Sequence, residues 1–290
     1  MRGMTGENLL CAPAEGQDRD MAVNVAVCQF APTNDRENNR VRAKELVAEA
    51  ASRGARLVVL PEYSSYFVDP LDASLAENAE TTDGDFVAAL TDAAATHDVI
   101  VVAGMVESGD DGRVRNTLVA VSASGLEAIY RKQHLYDAFG QKESDWIQAG
   151  PLGEAATFDV DGVRCGLMTC YDLRFPEVAR VLADADVEAI VVPAEWVRGP
   201  LKEHHWTTLL AARAIENTSY VIAADHPPRV GVGHSQIIDP EGVVIAGIGT
   251  GEGVATAVLE SALVARVRET NPVLRLRRYR VTPAEPGVAD

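Results

Sequence analysis

Three short segments share one form: an apolar run ends in a residue able to do chemistry. The first is Leu57-Val58-Val59-Leu60-Pro61-Glu62, the second Ile129-Tyr130-Arg131-Lys132, the third Cys165-Gly166-Leu167-Met168-Thr169-Cys170. They place a carboxylate, an ammonium and a thiol just beyond strand ends, where α/β proteins build their sites. The three types complement one another. A free thiol is mostly protonated at neutral pH, so a base must take its proton or a cation must favour the thiolate. Glu62 is the candidate base and Lys132 the candidate cation. Attack of Cys170 on an amide carbonyl develops an oxyanion, for which Lys132 and the backbone N–H of Tyr171 are candidate donors. Glu62, once protonated, can return its proton to a leaving amine and then activate water.

Taken singly, each residue has a plainer explanation. A strand-end Cys is most often a small buried hydrophobe. A Glu after Pro is ordinarily solvated, and a strand-end Lys is ordinarily surface charge. The chemistry rests on the combination. Cys28 and Cys165 lack such neighbours and read as packing residues. Adjacent His204 and His205 do not face one another on a helix, so they make a poor metal pair. No spacing typical of a metal site occurs, and no cofactor is expected. His234 reads as a satisfied loop histidine in preference to a pocket residue.

The elements that must position these residues follow from periodicity. Strands are expected at 23–30, 57–60, 99–106, 117–121, 127–132, 156–160, 163–167, 189–192, 220–224, 235–238, 243–246 and 254–259. Helices are expected after the Asn34-Asp35 cap up to Gly54, at 83–97, at 175–185 and at 202–217. Asp161-Gly162 is a strong hairpin signal, and Asp239-Pro240-Glu241-Gly242 suits a type I turn. Hairpins exclude a purely parallel, doubly wound sheet, so the reading is one α/β domain with mixed strands. Residues 1–20 are polar and read as a disordered, dispensable extension, with the domain running from Met21 to Asp290. A contact from Leu9 and Leu10 is the alternative.

The bulk numbers narrow the function. With 26 Lys and Arg against 43 Asp and Glu, the net charge is −17. Nucleic acid and anionic membrane surfaces are therefore unexpected partners. No apolar run is long enough to span a bilayer. Four cysteines in 290 residues do not suggest a disulfide framework, which favours a reducing, cytoplasmic setting.

The three motifs together resemble the nitrilase, or carbon–nitrogen hydrolase, superfamily. The residues that carry the likeness are Leu60-Pro61-Glu62, Tyr130 to Asp137, and Cys170-Tyr171-Asp172-Leu173-Arg174-Phe175-Pro176-Glu177. Arg115-Asn116-Thr117, Ala212 to Asn217 and Gly233 to Gly242 extend it across nearly the whole chain from Met21. The resemblance implies a four-layer α-β-β-α sandwich with two mixed sheets, a Glu62–Lys132–Cys170 triad, no cofactor, and a homodimer or higher oligomer that exchanges C-terminal tails. It also implies a second glutamate after the lysine loop; Glu143 holds that position, to position Lys132 and shape the amide pocket. Asn116 and Asp172 read as supports for the site.

Within the superfamily, Cys-Tyr-Asp is most similar to the omega-amidase and deaminated-glutathione-amidase branch, which acts on small acids that carry an amide. The expected reaction is hydrolysis of a small linear amide through a cysteine thioester. N-carbamoyl amino acid hydrolysis and nitrile hydrolysis are the alternatives, and a non-catalytic binding protein of the same fold is the rival from another class. Arg174 has two readings, a clamp for a substrate carboxylate or half of an internal ion pair. Pro193-Ala194-Glu195-Trp196 departs from the omega-amidase pattern. Glu195 would set a negative charge near that carboxylate, and Trp196 either walls the pocket or packs.

Overall fold

Strand β1 (Ala22–Gln29) has no polar face. Val23, Val25 and Val27 are buried on one side, Ala26 and Cys28 on the other. A strand apolar on both faces must be covered on both. The computed structural model, which describes residues 21–284, shows how. Helix α1 (Arg36–Ser52) opens where the Asp35 side chain accepts the Asn38 N–H at 3.0 Å. It lays Ala43, Leu46, Val47 and Ala50 on the Ala26–Cys28 face. The chain continues through β2 (Leu57–Val59), α2 (Ser74–Asn78), α3 (Asp85–His97), β3 (Ile100–Ser108), β4 (Val114–Ser122) and β5 (Gly125–Arg131). β1, β2 and β3 run parallel; β4 and β5 then fold back as successive antiparallel partners. β5 therefore points the same way as β2 and β3.

The second half repeats the plan. β6 (Thr157–Val160) and β7 (Val163–Leu167) form a hairpin over Asp161-Gly162, with φ of 45° and 84°. Positive φ at both central residues is what a type I′ turn requires. Then follow α4 (Pro176–Asp184), β8 (Ala189–Pro193), α5 (Lys202–Asn217), β9 (Tyr220–Ala224), β10 (Gln236–Ile238), β11 (Val244–Gly247), β12 (Gly253–Glu260), α6 (Ser261–Thr270) and α7 (Val273–Leu276). The sheets are β12-β1-β2-β3-β4-β5 and β11-β10-β9-β8-β7-β6, with β7, β8 and β9 parallel. β12 returns to the first sheet and pairs antiparallel with β1.

Val25, Leu57 and Val59 of one sheet meet Phe158, Leu167, Val191 and Ile222 of the other in a shared inner core. Helices α1 and α3 cover the outer face of the first sheet. Helices α4 and α5 cover the second through Leu182, Trp206 and Leu210. Each such buried apolar side chain contributes ~1.5–3 kcal/mol relative to exposure. The result is the expected four-layer α-β-β-α arrangement with two mixed six-stranded sheets.

Three helices were not expected from periodicity: α2, α6 and α7. In α6 only Val264 is buried, so it has no apolar stripe to detect. The basic C-terminal segment folds onto the body, where Arg277 pairs with Asp184. The 1–20 extension, with Leu9, Leu10 and Cys11, lies outside the described residues.

The strand directions matter for function. Glu62 lies just past β2, Lys132 past β5, Cys170 past β7, Glu195 past β8 and Asp225 past β9. All five follow the carboxyl ends of strands that are parallel within their sheet. Gly104 in β3 allows the Glu62 turn to sit tightly, since a Cβ there would fall 2.6 Å from the Glu62 Cα.

Candidate active site

Glu62 is fully buried. Its Oε1 accepts from Lys132 Nζ at 3.0 Å and from Asn116 Nδ2 at 2.6 Å. Its Oε2 accepts the Glu195 backbone N–H at 2.6 Å, a bond from one sheet's strand end to the other's. Lys132 Nζ lies between two carboxylates, also reaching Glu143 at 3.0 Å. Glu143 begins a 3-10 turn and is buried, not an exposed loop residue. It further accepts from Tyr63 OH at 2.8 Å and from the Tyr136 N–H at 2.6 Å.

Cys170 heads a 3-10 turn, Cys170–Arg174, with φ of 45°. Non-glycine residues adopt that conformation only when the surroundings enforce it. Here the enforcement is visible. Asp172 accepts from the Thr169 N–H, Tyr130 OH and the His134 N–H, tying the turn to the lysine segment. Thr169 Oγ1 donates to Pro193 O at 2.8 Å, tying it to β8. The Cys170 thiol donates to Glu195 O at 3.3 Å.

Glu62, Lys132, Glu143, Cys170 and Glu195 line one cavity of about 390 Å³. Burial and the nearby Glu143 push the Glu62 pKa up, against the pull of Lys132. Burial alone would lower the pKa of Lys132, yet Glu143 and Glu62 hold it well above the lysine value. Cys170 is held well above the thiol value by burial and by Glu62, with Lys132 opposing. The resting thiol is therefore neutral. A neutral thiol, a carboxylate with raised proton affinity and a permanently charged ammonium can perform base-assisted acyl transfer.

Beside Cys170 is a narrow crevice of only about 10 Å³, lined by Tyr136, Tyr171, Arg174, Glu195, Trp196, Val197 and Lys202. Arg174 stacks over Trp196, 4.7 Å from the ring centre. Among the described residues no carboxylate pairs with it, so the internal ion-pair reading is corrected. Its Nη2 lies 3.4 Å from His205 Nδ1, and its Nε is buried without a hydrogen-bond partner.

The carbon–nitrogen hydrolase family model matches residues 24–269. The chain belongs to that family. It is 42% identical over 256 residues to the deaminated glutathione amidase of Escherichia coli O157:H7, covering 88% of this chain and 97% of that protein. Among solved structures, the C. elegans NitFhit protein superimposes with a TM-score of 0.80 at 30% identity over 89% of this chain. The chain spans 65% of that longer protein. Saccharomyces cerevisiae Nit3, a member of branch 10 of the nitrilase superfamily, gives a TM-score of 0.78 at 26% identity, covering 89% of this chain and 97% of that one.

The expected residues are thus close together in this carbon–nitrogen hydrolase. Glu62, Lys132, Glu143 and Cys170 share one cavity, and Tyr171, Arg174, Glu195 and Trp196 line the adjoining pocket. His234 lines neither. Cys28 and Cys165 are buried in the cores around the sheets. No helix among the described residues is long and apolar enough to cross a membrane. No group of metal-ligating side chains occurs among them either.

Sequence reasoning missed three contributors. In the sequence Lys202 marks only the start of a helix. It is buried, donates to Tyr136 OH at 2.6 Å, and has its pKa lowered by burial and by Arg174. Tyr63 was passed over beside Glu62. His226 holds the Glu62 carbonyl through Nε2 at 2.7 Å. The place of Lys202 just after the Trp196 loop is a local signal for it; His226 has none.

Proposed function

We propose that this carbon–nitrogen hydrolase cleaves the amide of a small, linear, carboxylate-bearing acid and releases ammonia through a thioester on Cys170. The observation that carries the reading is the meeting of Cys170, Glu62, Lys132 and Glu143 in one buried cavity, which Arg198 and Arg229 also line, with Arg174 and Lys202 in the crevice beside it. The likeness to a relative named deaminated glutathione amidase supports amide hydrolysis.

Cys170 attacks the amide carbon while Glu62 takes the thiol proton. The free lone pair of Glu62 Oε2, left by its single bond to the Glu195 N–H, suits that role. Lys132 and the Tyr171 N–H stabilise the oxyanion, the latter an opening amide without a partner inside its own turn. Collapse of the intermediate expels ammonia, which carries the proton from Glu62. Water then enters, gives a proton to Glu62 and attacks the thioester, and Glu62 returns that proton to the departing sulfur. Glu143 keeps Lys132 charged and in place throughout. Arg174 and Lys202 supply positive charge beside the substrate carboxylate.

The test is to incubate the enzyme with acid amides, carbamoyl compounds and nitriles, follow ammonia, and weigh trapped protein by mass spectrometry. The expected result is an acyl adduct on Cys170 from an acid amide. An adduct on Cys28 or Cys165, or full turnover in Cys170→Ala, overturns the scheme. A nitrile turned over faster than its amide overturns the substrate class while leaving the triad standing.

A further inference from the structure

Lys202 is a buried ammonium without a counter-ion. It is 5% exposed, and among the described residues no carboxylate pairs with it. Its Nζ lies 4.1 Å from the ring centre of Phe139 and 4.7 Å from that of Tyr136, aromatic faces that favour a cation. Its hydrogen bond is to Tyr136 OH at 2.6 Å. An ammonium can only donate. The Tyr136 oxygen is therefore the acceptor, and its own proton must point elsewhere. Among the described residues nothing receives that proton. Burial first, then Cys170, push the Tyr136 phenol up to about 12, so the proton is present at neutral pH.

The surroundings show where it goes. Lys202 and Arg174 line the crevice beside Cys170, whose volume of about 10 Å³ has room for about one water molecule and none for a carboxylate. Tyr136 lines both that crevice and the cavity of about 390 Å³ that holds Cys170, Lys132 and Glu62. Its backbone N–H donates to Glu143 at 2.6 Å, and its ring lies edge-on to Tyr171 with centres 5.0 Å apart, so it is fixed before substrate arrives. We propose that Tyr136 is a specificity-determining residue whose hydroxyl donates to the substrate carboxylate in the main cavity. Lys202 is the positioning residue that turns this hydroxyl outward and polarises it. This deepens the proposed function and rests on its carboxylate-bearing acid amide.

The choice of an anionic acceptor follows from the charge behind the hydroxyl. Arg174 and Lys202 stand there together, and the Arg174 Nε is buried without a hydrogen-bond partner. Glu195 is the one acidic residue that lines the crevice, and its Oε1 also lacks a partner, so the Tyr136 proton is not spent on it. Burial first, then Glu62 and Asp225, drive the Glu195 pKa well above the carboxylate range, which leaves the two cations uncompensated. A hydroxyl backed by such charge gains most from an ionised acceptor, because a charge-assisted bond is roughly twice as strong as a neutral one. The reacting carbonyl oxygen does not need Tyr136, since Lys132 and the Tyr171 N–H already serve it.

Glutaramate and pentanamide, amides of equal length that end in a carboxylate or a methyl, test the proposal. Ammonia release is measured for the wild type, Tyr136→Phe, Lys202→Met and the double variant. The wild type is expected to favour glutaramate, through KM more than kcat. Tyr136→Phe removes only the hydroxyl and should cut the glutaramate-to-pentanamide ratio of kcat/KM about tenfold or more. Both amides are read on one preparation, so any loss of folded protein cancels in the ratio. Lys202→Met keeps an unbranched side chain of similar length. It should cut the same ratio about tenfold alone but less than about twofold in the Tyr136→Phe background, where no hydroxyl is left to turn. An unchanged ratio in Tyr136→Phe overturns the proposal. Equal factors for Lys202→Met in both backgrounds overturn its positioning role. Calorimetric titration of the two amides into the Cys170→Ala protein, with and without Tyr136→Phe, asks the same question without turnover. Tighter binding of glutaramate that disappears with Tyr136→Phe supports Tyr136, and equal binding of the two amides to Cys170→Ala overturns it. Failure of the wild type to cleave either amide, with carboxylate-selective binding intact, would instead refute the proposed reaction.

Discussion

The two sides of Cys170 are built on opposite principles. On one side Glu62, Lys132, Glu143, Asn116 and Tyr63 form a network that supplies donors to both carboxylates and leaves only Asn116 Oδ1 unpartnered. On the other, Arg174, Lys202 and Glu195 bring two cations and a carboxyl together without an ion pair among them. A closed network fixes geometry and can be nearly rigid before substrate arrives. An open set of polar groups is satisfied only by what binds. The first side is suited to running a reaction, and the second to choosing what undergoes it.

The largest effects should come from breaking the closed side. Cys170→Ala should leave no measurable turnover, because no nucleophile remains. Glu62→Gln should cost about 10³-fold or more in kcat with KM little changed, since it removes both proton transfers. Because the Glu62 pKa is raised, the acid limb of the kcat/KM profile should lie above the usual carboxylate range, with activity falling as pH drops through it. Initial rates from pH 5 to 9 check this. A limb at an ordinary carboxylate value would remove Glu62 from the role.

Lys132→Ala should damage fold and function together. It leaves two buried carboxylates facing each other without the ammonium between them. Removing one member of a buried charged set typically costs ~3–5 kcal/mol. Urea denaturation should show that loss, whereas Cys170→Ala should change stability little. Equal stability in both variants would mean the triad relaxes in a way the geometry does not suggest.

On the open side, Arg174→Ala and Lys202→Ala should act mainly on binding. Each should raise KM for a carboxylate-bearing amide by about 10- to 100-fold, from loss of a charge-assisted contact, while changing kcat much less. A neutral amide of similar length should be nearly indifferent. Steady-state kinetics on the matched pair decide it; equal effects on both amides would make these cations structural.

This division also explains what was legible in the sequence. The strands that carry Glu62, Lys132 and Cys170 are continuous apolar runs, and the chemistry of each residue type at a strand end is local. The stacking of two mixed sheets was implied by family resemblance, whereas the order of strands within them follows from neither the resemblance nor periodicity. Glu143 had no local signal; its burial depends on Tyr63 and Tyr136 closing over it from other segments. Lys202 opens a helix that reads as amphipathic, and only the third dimension places it against Tyr136 and Phe139. Arg174 was visible but its partner was not, because the absence of a counter-ion is a property of space. Helix α6 stayed hidden because it buries a single residue.

The smallest predicted effect is the sharpest for the open side. Glu195 has a folded pKa above its unfolded value of about 4.3. Between those two values the native state holds a proton that the unfolded chain has released. Stability supplied by this group is therefore full below about pH 4.3 and is lost as pH rises toward the folded pKa. Glu195→Gln removes the penalty while keeping size and hydrogen-bonding capacity. Its stability relative to wild type should increase with pH between 5.5 and 8, by at most about 1.4 kcal/mol for each pH unit inside that window. Glu62, also raised, is present in both proteins, so the difference between them reads Glu195 together with its coupling to Glu62. Paired urea denaturation curves at pH 5.5 and pH 8 measure it. If Glu195 were instead an ionised partner of Lys202, the sign would reverse, and Glu195→Gln would be the less stable protein at pH 8.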